Sequence, residues 1–152
     1  MVDAVLRASR VLVAVAVRSL AGVDDDVTLP QYRALVVLAG RGPQRATELA
    51  EALGVHPSTV TRLCDRLVAK RLVQRGESRA NRREVSIRLT PKGRRLVDEV
   101  TDRRRGEIAA ITAKVPTSQR ATMVHALNAL GDAAGEPADA AWFSGDVAGG
   151  RT

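Results

Sequence analysis

The side chains able to do chemistry in this chain gather in one stretch, Glu48 to Leu67. Ser58, Thr59, Thr61, Arg62 and Arg66, with Asp65 among them, place hydroxyls and guanidinium groups on the polar faces of a helix. Val60, Leu63, Cys64 and Leu67 fall at i, i+3, i+4 and i+7, an apolar stripe that the fold must bury. Upstream, Leu49, Ala50 and Leu53 recur at helical spacing, and Gly54 stands where a chain leaving a helix needs left-handed backbone. Pro57 suits the first turn of the next helix, where a missing N–H costs nothing. Two helices joined by a short turn containing Gly, the second offering hydroxyls and Arg, form the helix-turn-helix pattern that reads a DNA major groove. An ordinary helical hairpin with a solvated polar face fits the same residues, so the stretch alone leaves both readings open.

Charge separates them. Residues 31–95 carry fifteen Lys/Arg against five Asp/Glu, net +10, whereas residues 1–30 are net −1 and residues 96–152 net −2. The whole positive excess of the chain, +7 overall, thus lies in the segment that holds the helical pair. Clustered Lys and Arg mark a polyanion partner, and their coincidence with the motif favours nucleic acid over a merely solvated face.

Other chemistry is hard to assemble. The chain has two His, His56 and His125, and one Cys. His125 has no acidic or thiol neighbour at i±3 or i±4, so no metal set forms around it. Cys64 sits on the apolar stripe and reads as a small core residue rather than a redox sensor. The Asp24-Asp25-Asp26 run reads as a solvated loop. Glycine-rich phosphate loops are absent, and no cofactor is expected. These features argue against an enzyme. At 152 residues, 45% hydrophobic and 2% aromatic, the chain can bury one core built from Leu, Val, Ile and Ala. Its longest apolar run, Val11 to Val17, falls far short of the roughly 20 residues a bilayer span needs. No signal peptide is evident and a single Cys suits a reducing compartment, so a cytoplasmic protein is expected.

The elements that must position the cluster follow in order. Residues 2–21 form a helix whose Val2, Val5, Leu6, Leu12, Val13, Ala16, Val17 and Leu20 cover more than one face, which calls for burial on two sides and hence a second subunit. Thr28-Leu29-Pro30-Gln31 is a capping box opening a helix to about Ala39, with Leu35, Val36 and Leu38 inward. The helix beginning at Pro57 should end near Arg71. Period-2 patterning then predicts strands at Leu72–Arg75 and Glu84–Leu89, with Val85, Ile87 and Leu89 buried and Ser86 and Arg88 outward. The polar turn between them carries Arg79, Arg82 and Arg83, placed to enter a minor groove. Thr90-Pro91 opens a long helix to about Lys114, and Thr117 or Ser118 caps a last helix with Met123, Val124, Leu127 and Leu130 apolar. From residue 132 the composition suggests a loosely held tail, in which Trp142-Phe143 could dock on the body or a partner.

The expected fold class is therefore mainly α with a small β-hairpin wing, a winged helix-turn-helix over about residues 29–90. With Ala46-Thr47-Glu48-Leu49-Ala50, Ser58-Thr59-Val60-Thr61-Arg62-Leu63, Asn81-Arg82-Arg83 and Leu89-Thr90-Pro91-Lys92-Gly93 in this order, residues 1 to about 131 resemble the MarR family of bacterial transcriptional regulators. The resemblance implies a single domain over 1–131 with dimerisation helices at 2–21 and 91–131, forming a homodimer. It implies a repressor of double-stranded DNA at a pseudo-palindromic operator, released by a small aromatic or phenolic effector. A DNA-binding architectural or constitutive repressor module with no ligand response is the alternative. On the same basis Ser58, Thr59, Thr61, Arg62 and Arg66 would contact the major groove, and Arg79, Arg82 and Arg83 the wing side. Val17, Leu20, Tyr32 and Val36 would line an effector cleft between the first, second and long fifth helices. Two positions depart from the family pattern: Asn81 stands where an Asp usually precedes the Arg pair, and His56 stands where a Ser or Thr usually starts the recognition helix. His56 reads as an improvised cap, a phosphate neighbour, or a turn residue without a role.

Overall fold

The structure is a computed structural model that describes residues 1–23, 26–77 and 85–136. Asp24 and Asp25, the wing tip with Arg79, Asn81, Arg82 and Arg83, and the tail with Trp142-Phe143 lie outside the described residues. The elements run α1 (Val2–Ala21), α2 (Leu29–Arg41), β1 (Gln44–Arg45), α3 (Ala46–Leu53), α4 (Pro57–Ala69), β2 (Val73–Glu77), β3 (Val85–Leu89), α5 (Pro91–Thr112) and α6 (Thr117–Ala133). Contacts divide the chain into two compact units, Met1–Ala110 and a second beginning at Ile111.

In the first unit one core joins α2, α3, α4, the sheet and the first half of α5, around Leu35, Leu38, Leu49, Val60, Leu67, Leu72, Ile87 and Val100. The expected stripe of α4 is its inner face: Val60, Cys64 and Leu67 are fully buried and Leu63 packs against them. α2 starts as its sequence dictates. Thr28 Oγ1 accepts the Gln31 N–H at 3.4 Å, and Gln31 Oε1 accepts the Thr28 N–H at 3.1 Å. Along α2 the inward face is Ala34, Leu35, Val37 and Leu38, while Val36 is only half-buried at its edge.

The sheet differs from the expected hairpin. It has three strands in the order β1-β3-β2, with Gln44 opposite Ile87 and Arg45 opposite Ser86 on one side of β3, and Val73 opposite Leu89 on the other. The predicted alternation along β3 fails at its outer end, where Val85 is 60% exposed and Ser86 is buried. Val85 pairs with Glu77 at the far end of the β2–β3 ladder, and it is not among the residues of the core. Ser86 is covered because β1 lies beside it, and its hydroxyl donates to the Gly76 and Glu77 carbonyls at 3.3 and 3.4 Å.

Two joints fix α4 between its neighbours. Gly54 takes φ 65°, ψ 34°, and the Val55 N–H reaches back to the Ala50 carbonyl at 3.0 Å, the left-handed ending expected for α3. At the other end Arg71 takes φ 59°, and the Leu72 N–H closes on the Leu67 carbonyl at 3.0 Å. Thr90 then clasps this ending to α5. Its hydroxyl contacts the Arg71 and Leu72 carbonyls at 2.7 and 3.1 Å and accepts the Gly93 N–H at 3.0 Å.

α1 spans the predicted residues, but within the chain it buries only Val15, Ala16, Ser19 and Leu20. Val2, Val5, Leu6, Leu12, Val13 and Val17 stay exposed. In the second unit α6 has no buried residue, and Val124, Leu127 and Leu130 are exposed. Its N-cap is Pro116, without a side-chain cap, rather than Thr117 or Ser118. The helix also runs past Gly131 to Ala133, two residues beyond the sequence-based boundary, because Gly131 and Asp132 continue its hydrogen-bonded turns.

Candidate nucleic-acid interface

α4 presents its outer face through a start built by an unusual cap. His56 has extended backbone, φ −68° and ψ 143°, and its Nδ1 accepts the Ser58 N–H at 3.2 Å. The same nitrogen lies 2.8 Å from the Ser58 hydroxyl. Of the three roles open to His56 in the sequence, the structure assigns the cap. α3 is opened by the neighbouring device of a carboxylate: Glu48 accepts the Arg45 N–H at 2.8 Å and its guanidinium at 3.0 and 2.8 Å. The Arg45 backbone N–H, then its side chain, holds the Glu48 carboxyl below the usual carboxylate range.

Ser58, Thr59, Thr61, Arg62, Asp65 and Arg66 are all exposed and lie opposite the buried stripe. The structure therefore brings together all five predicted major-groove residues. Asp65, the one acidic group on this face, is held by Arg75 of β2 at 2.5 Å. The side chains of Arg62 and Arg66 form no ion pair or hydrogen bond among the described residues. Thr61 donates its hydroxyl to the Pro57 carbonyl at 3.2 Å. Sequence reasoning missed Arg75, whose role depends on β2 running beside α4, which spacing along the chain does not reveal. The predicted wing residues Arg79, Arg82 and Arg83 lie outside the described residues.

Cys64 has no access to this surface. It is fully buried, and burial pushes its thiol up to about 11, opposed weakly by the nearby Arg75 charge. A thiol so protonated and enclosed is inert as a nucleophile.

Of the four predicted effector residues, Val17 and Leu20 line a cavity of about 390 Å³ where the end of α1 meets the start of α2. Among the described residues, Ala21, Val23, Val27 and Leu29 extend its apolar wall and Asp26 and Thr28 add polar groups. Tyr32 and Val36 do not line this cavity. Tyr32 is 3% exposed because it points into the core, its hydroxyl 3.3 Å from Thr101 Oγ1 on α5, and Val36 packs against the core.

Comparison with known proteins supports the geometry. A family model described as the MarR family matches residues 25–84, which take in α2 to β2 and end just before β3. The HTH-type transcriptional repressor MdtR of Bacillus subtilis is 31% identical over 108 residues, covering 71% of this chain and 70% of that protein. The crystal structure of RV1404 from Mycobacterium tuberculosis is 44% identical with TM-score 0.84, covering 90% of this chain and 93% of that one. BpsR of Bordetella bronchiseptica, whose DNA binding is regulated by 6-hydroxynicotinic acid, is 25% identical with TM-score 0.64 over 87% of this chain and 93% of that one. Against several uncharacterized HTH-type regulators of Bacillus subtilis, the match spans between 44% and 61% of the relative's length.

Proposed function

This chain belongs to the MarR family of transcriptional regulators, and from that premise we propose that it is a sequence-specific double-stranded DNA-binding repressor acting as a homodimer. The observation that carries this reading is the outer face of α4, where Arg62 and Arg66 have no ion-pair partner among the described residues and stand beside three hydroxyl residues on a helix capped at its start and buried along its back. Among the described residues the one acidic group on this face is held by Arg75, and the Arg62 and Arg66 forks are offered to guanine edges or phosphates. Helix α4 would enter the major groove, and Arg79, Arg82 and Arg83 would follow the backbone from the wing.

The homodimer is supported by the uncovered apolar faces of α1 and of α6. Each unit leaves such residues in solvent, Val5, Leu6 and Val13 in the first and Val124, Leu127 and Leu130 in the second. Contiguous apolar surface of this kind marks an interaction site, and a second copy of the chain is the proposed cover. Two α4 helices would then occupy successive major grooves of a pseudo-palindromic operator, about 34 Å apart.

Release by a small effector is the finer part of the proposal. The cavity lined by Val17 and Leu20 offers an apolar wall for an aromatic or phenolic compound, and BpsR provides a precedent in 6-hydroxynicotinic acid. No helix among the described residues is long and apolar enough to cross a membrane, which suits the proposed cytoplasmic location. The members of the family matched here are named as transcriptional regulators, and a non-enzymatic role is proposed for this chain.

The experiment is a gel-shift titration against the DNA flanking its own gene and against random duplex, at two salt concentrations, with sedimentation to weigh the complex. Tight binding to the flanking DNA, steep salt dependence and twice the 16.2 kDa chain mass in the free protein are expected. Equal weak binding to both duplexes would replace the repressor with an architectural module.

A further inference from the structure

Which bases the α4 face selects depends on where its hydroxyl protons are. A Ser or Thr hydroxyl has one proton to donate and lone pairs to accept with. The Ser58 N–H donates to His56 Nδ1 at 3.2 Å, which assigns the ring the tautomer that keeps its proton on Nε2. In that tautomer the Ser58 hydroxyl, 2.8 Å from the same Nδ1, is the donor of the contact. Thr61 Oγ1 donates to the Pro57 carbonyl at 3.2 Å. Both residues are exposed, yet each offers the solvent side lone pairs alone. Thr59, on the same helix, has no side-chain hydrogen bond among the described residues and keeps both capacities.

This polarity restricts what Ser58 and Thr61 can bind on a duplex. Phosphate oxygens only accept, so a hydroxyl whose proton is held within the protein gains nothing there. In the major groove the hydrogen-bond donors are the N6 amino group of adenine and the N4 amino group of cytosine. Guanine presents N7 and O6, and thymine O4, all of which only accept.

We infer that Ser58 and Thr61 are acceptor-only readers that select adenine or cytosine over guanine or thymine on the strand they face, and that His56 sets this polarity by holding the Ser58 proton. His56 is thus a positioning residue for specificity, acting through Ser58. The inference rests on the reading of α4 as the helix that meets DNA.

The test is selection from a random-sequence duplex library by the full chain, with sequencing of the bound fraction, for wild type, Ser58→Ala, Thr61→Val and His56→Ala. Thermal melting of each variant accompanies the selection. Wild type is expected to show, in each half-site, positions that favour adenine or cytosine on one strand. Ser58→Ala and Thr61→Val should each flatten one of these by about 2- to 10-fold, the effect of a single hydrogen bond. His56→Ala leaves Ser58 in place but frees its proton, so guanine and thymine should rise at the Ser58 position and nowhere else. A loss of guanine or thymine preference in Ser58→Ala or Thr61→Val would overturn the inference. So would an even loss of affinity with the base preferences intact, or a His56→Ala profile identical to wild type. If His56→Ala melts below the assay temperature, the other two variants decide the matter alone. A wild-type chain that selects no sequence would instead overturn the reading of α4 as a sequence reader.

Discussion

Arg75 holds the carboxylate of Asp65, the acidic group that shares the α4 face with Arg62 and Arg66. Arg62→Ala should lower discrimination between duplexes by ~1–3 kcal/mol at one base pair if its fork is bidentate, with little change in melting temperature. Competition binding against single-base operator variants measures it. Cys64 gives a second residue-scale expectation. Its folded pKa is raised above the ordinary 9.0 to about 11, so the stability that its protonated form contributes is complete below pH 9 and falls as pH rises toward 11. Cys64→Ala should remove that part of the alkaline loss in denaturant titrations, and thiol reagents should label wild type only when it unfolds. The sequence displayed the hydroxyls, the arginines and the apolar burial of Cys64, because those depend on helical spacing alone. The cap role of His56 was one of three open readings, since a His can accept through Nδ1 only in one ring orientation and tautomer, and composition does not specify either.

At the scale of elements, the Leu89-Thr90-Pro91-Lys92-Gly93 stretch shows how a short motif joins strand to helix. Thr90 bonds the carbonyls that end α4, the Lys92 ammonium donates to the Lys70 carbonyl at 3.2 Å, and Gly93 lets α5 pass against the Leu72 backbone. A Cβ at Gly93 would stand 2.0 Å from the Leu72 carbonyl oxygen. Gly93→Ala should therefore cost about 1–3 kcal/mol despite its better helix propensity, as seen by chemical denaturation. Arg71 is the opposite case. With φ 59° in a non-Gly residue, Arg71→Gly should relieve roughly 1 kcal/mol of left-handed strain and leave stability equal or higher in the same measurement. The starts of α2 and α4 and the end of α3 were legible because Thr28, Gln31, Gly54 and Pro57 act through neighbours a few residues away, whereas the cap expected at Thr117 or Ser118 is not formed. β1 was not, because Gln44-Arg45 is only two residues long and becomes a strand by pairing with β3 more than forty positions later. Missing β1 also hid why Ser86 is buried. The exposed Val85 reflects where the core ends, which no alternation pattern specifies.

At the scale of the whole molecule, the positive excess sits in the segment that carries α4 and the wing, between flanks of slight negative charge. Binding should accordingly weaken by roughly a thousandfold or more between about 50 and 200 mM salt, the fall expected from ~6–10 phosphate contacts in a dimer. Leu6→Glu combined with Val13→Glu in α1 should shift the sedimenting mass toward the monomer and abolish tight DNA binding, because both residues are exposed in the single chain and owe nothing to its core. The two-sided apolar pattern of α1 was visible in the sequence. Which of its faces the chain covers for itself was not, since that depends on tertiary contacts of Val15, Ala16 and Leu20. The measurement that bears most directly on the account is the ratio of affinities for the DNA flanking its own gene and for random duplex, in wild type and in an Arg62→Ala, Arg66→Ala double variant at one salt concentration. A wild-type ratio of about a thousand or more, collapsing toward one in a variant of unchanged melting temperature, is the predicted result. A ratio that survives the double substitution would contradict the assignment of α4 as the helix that reads DNA.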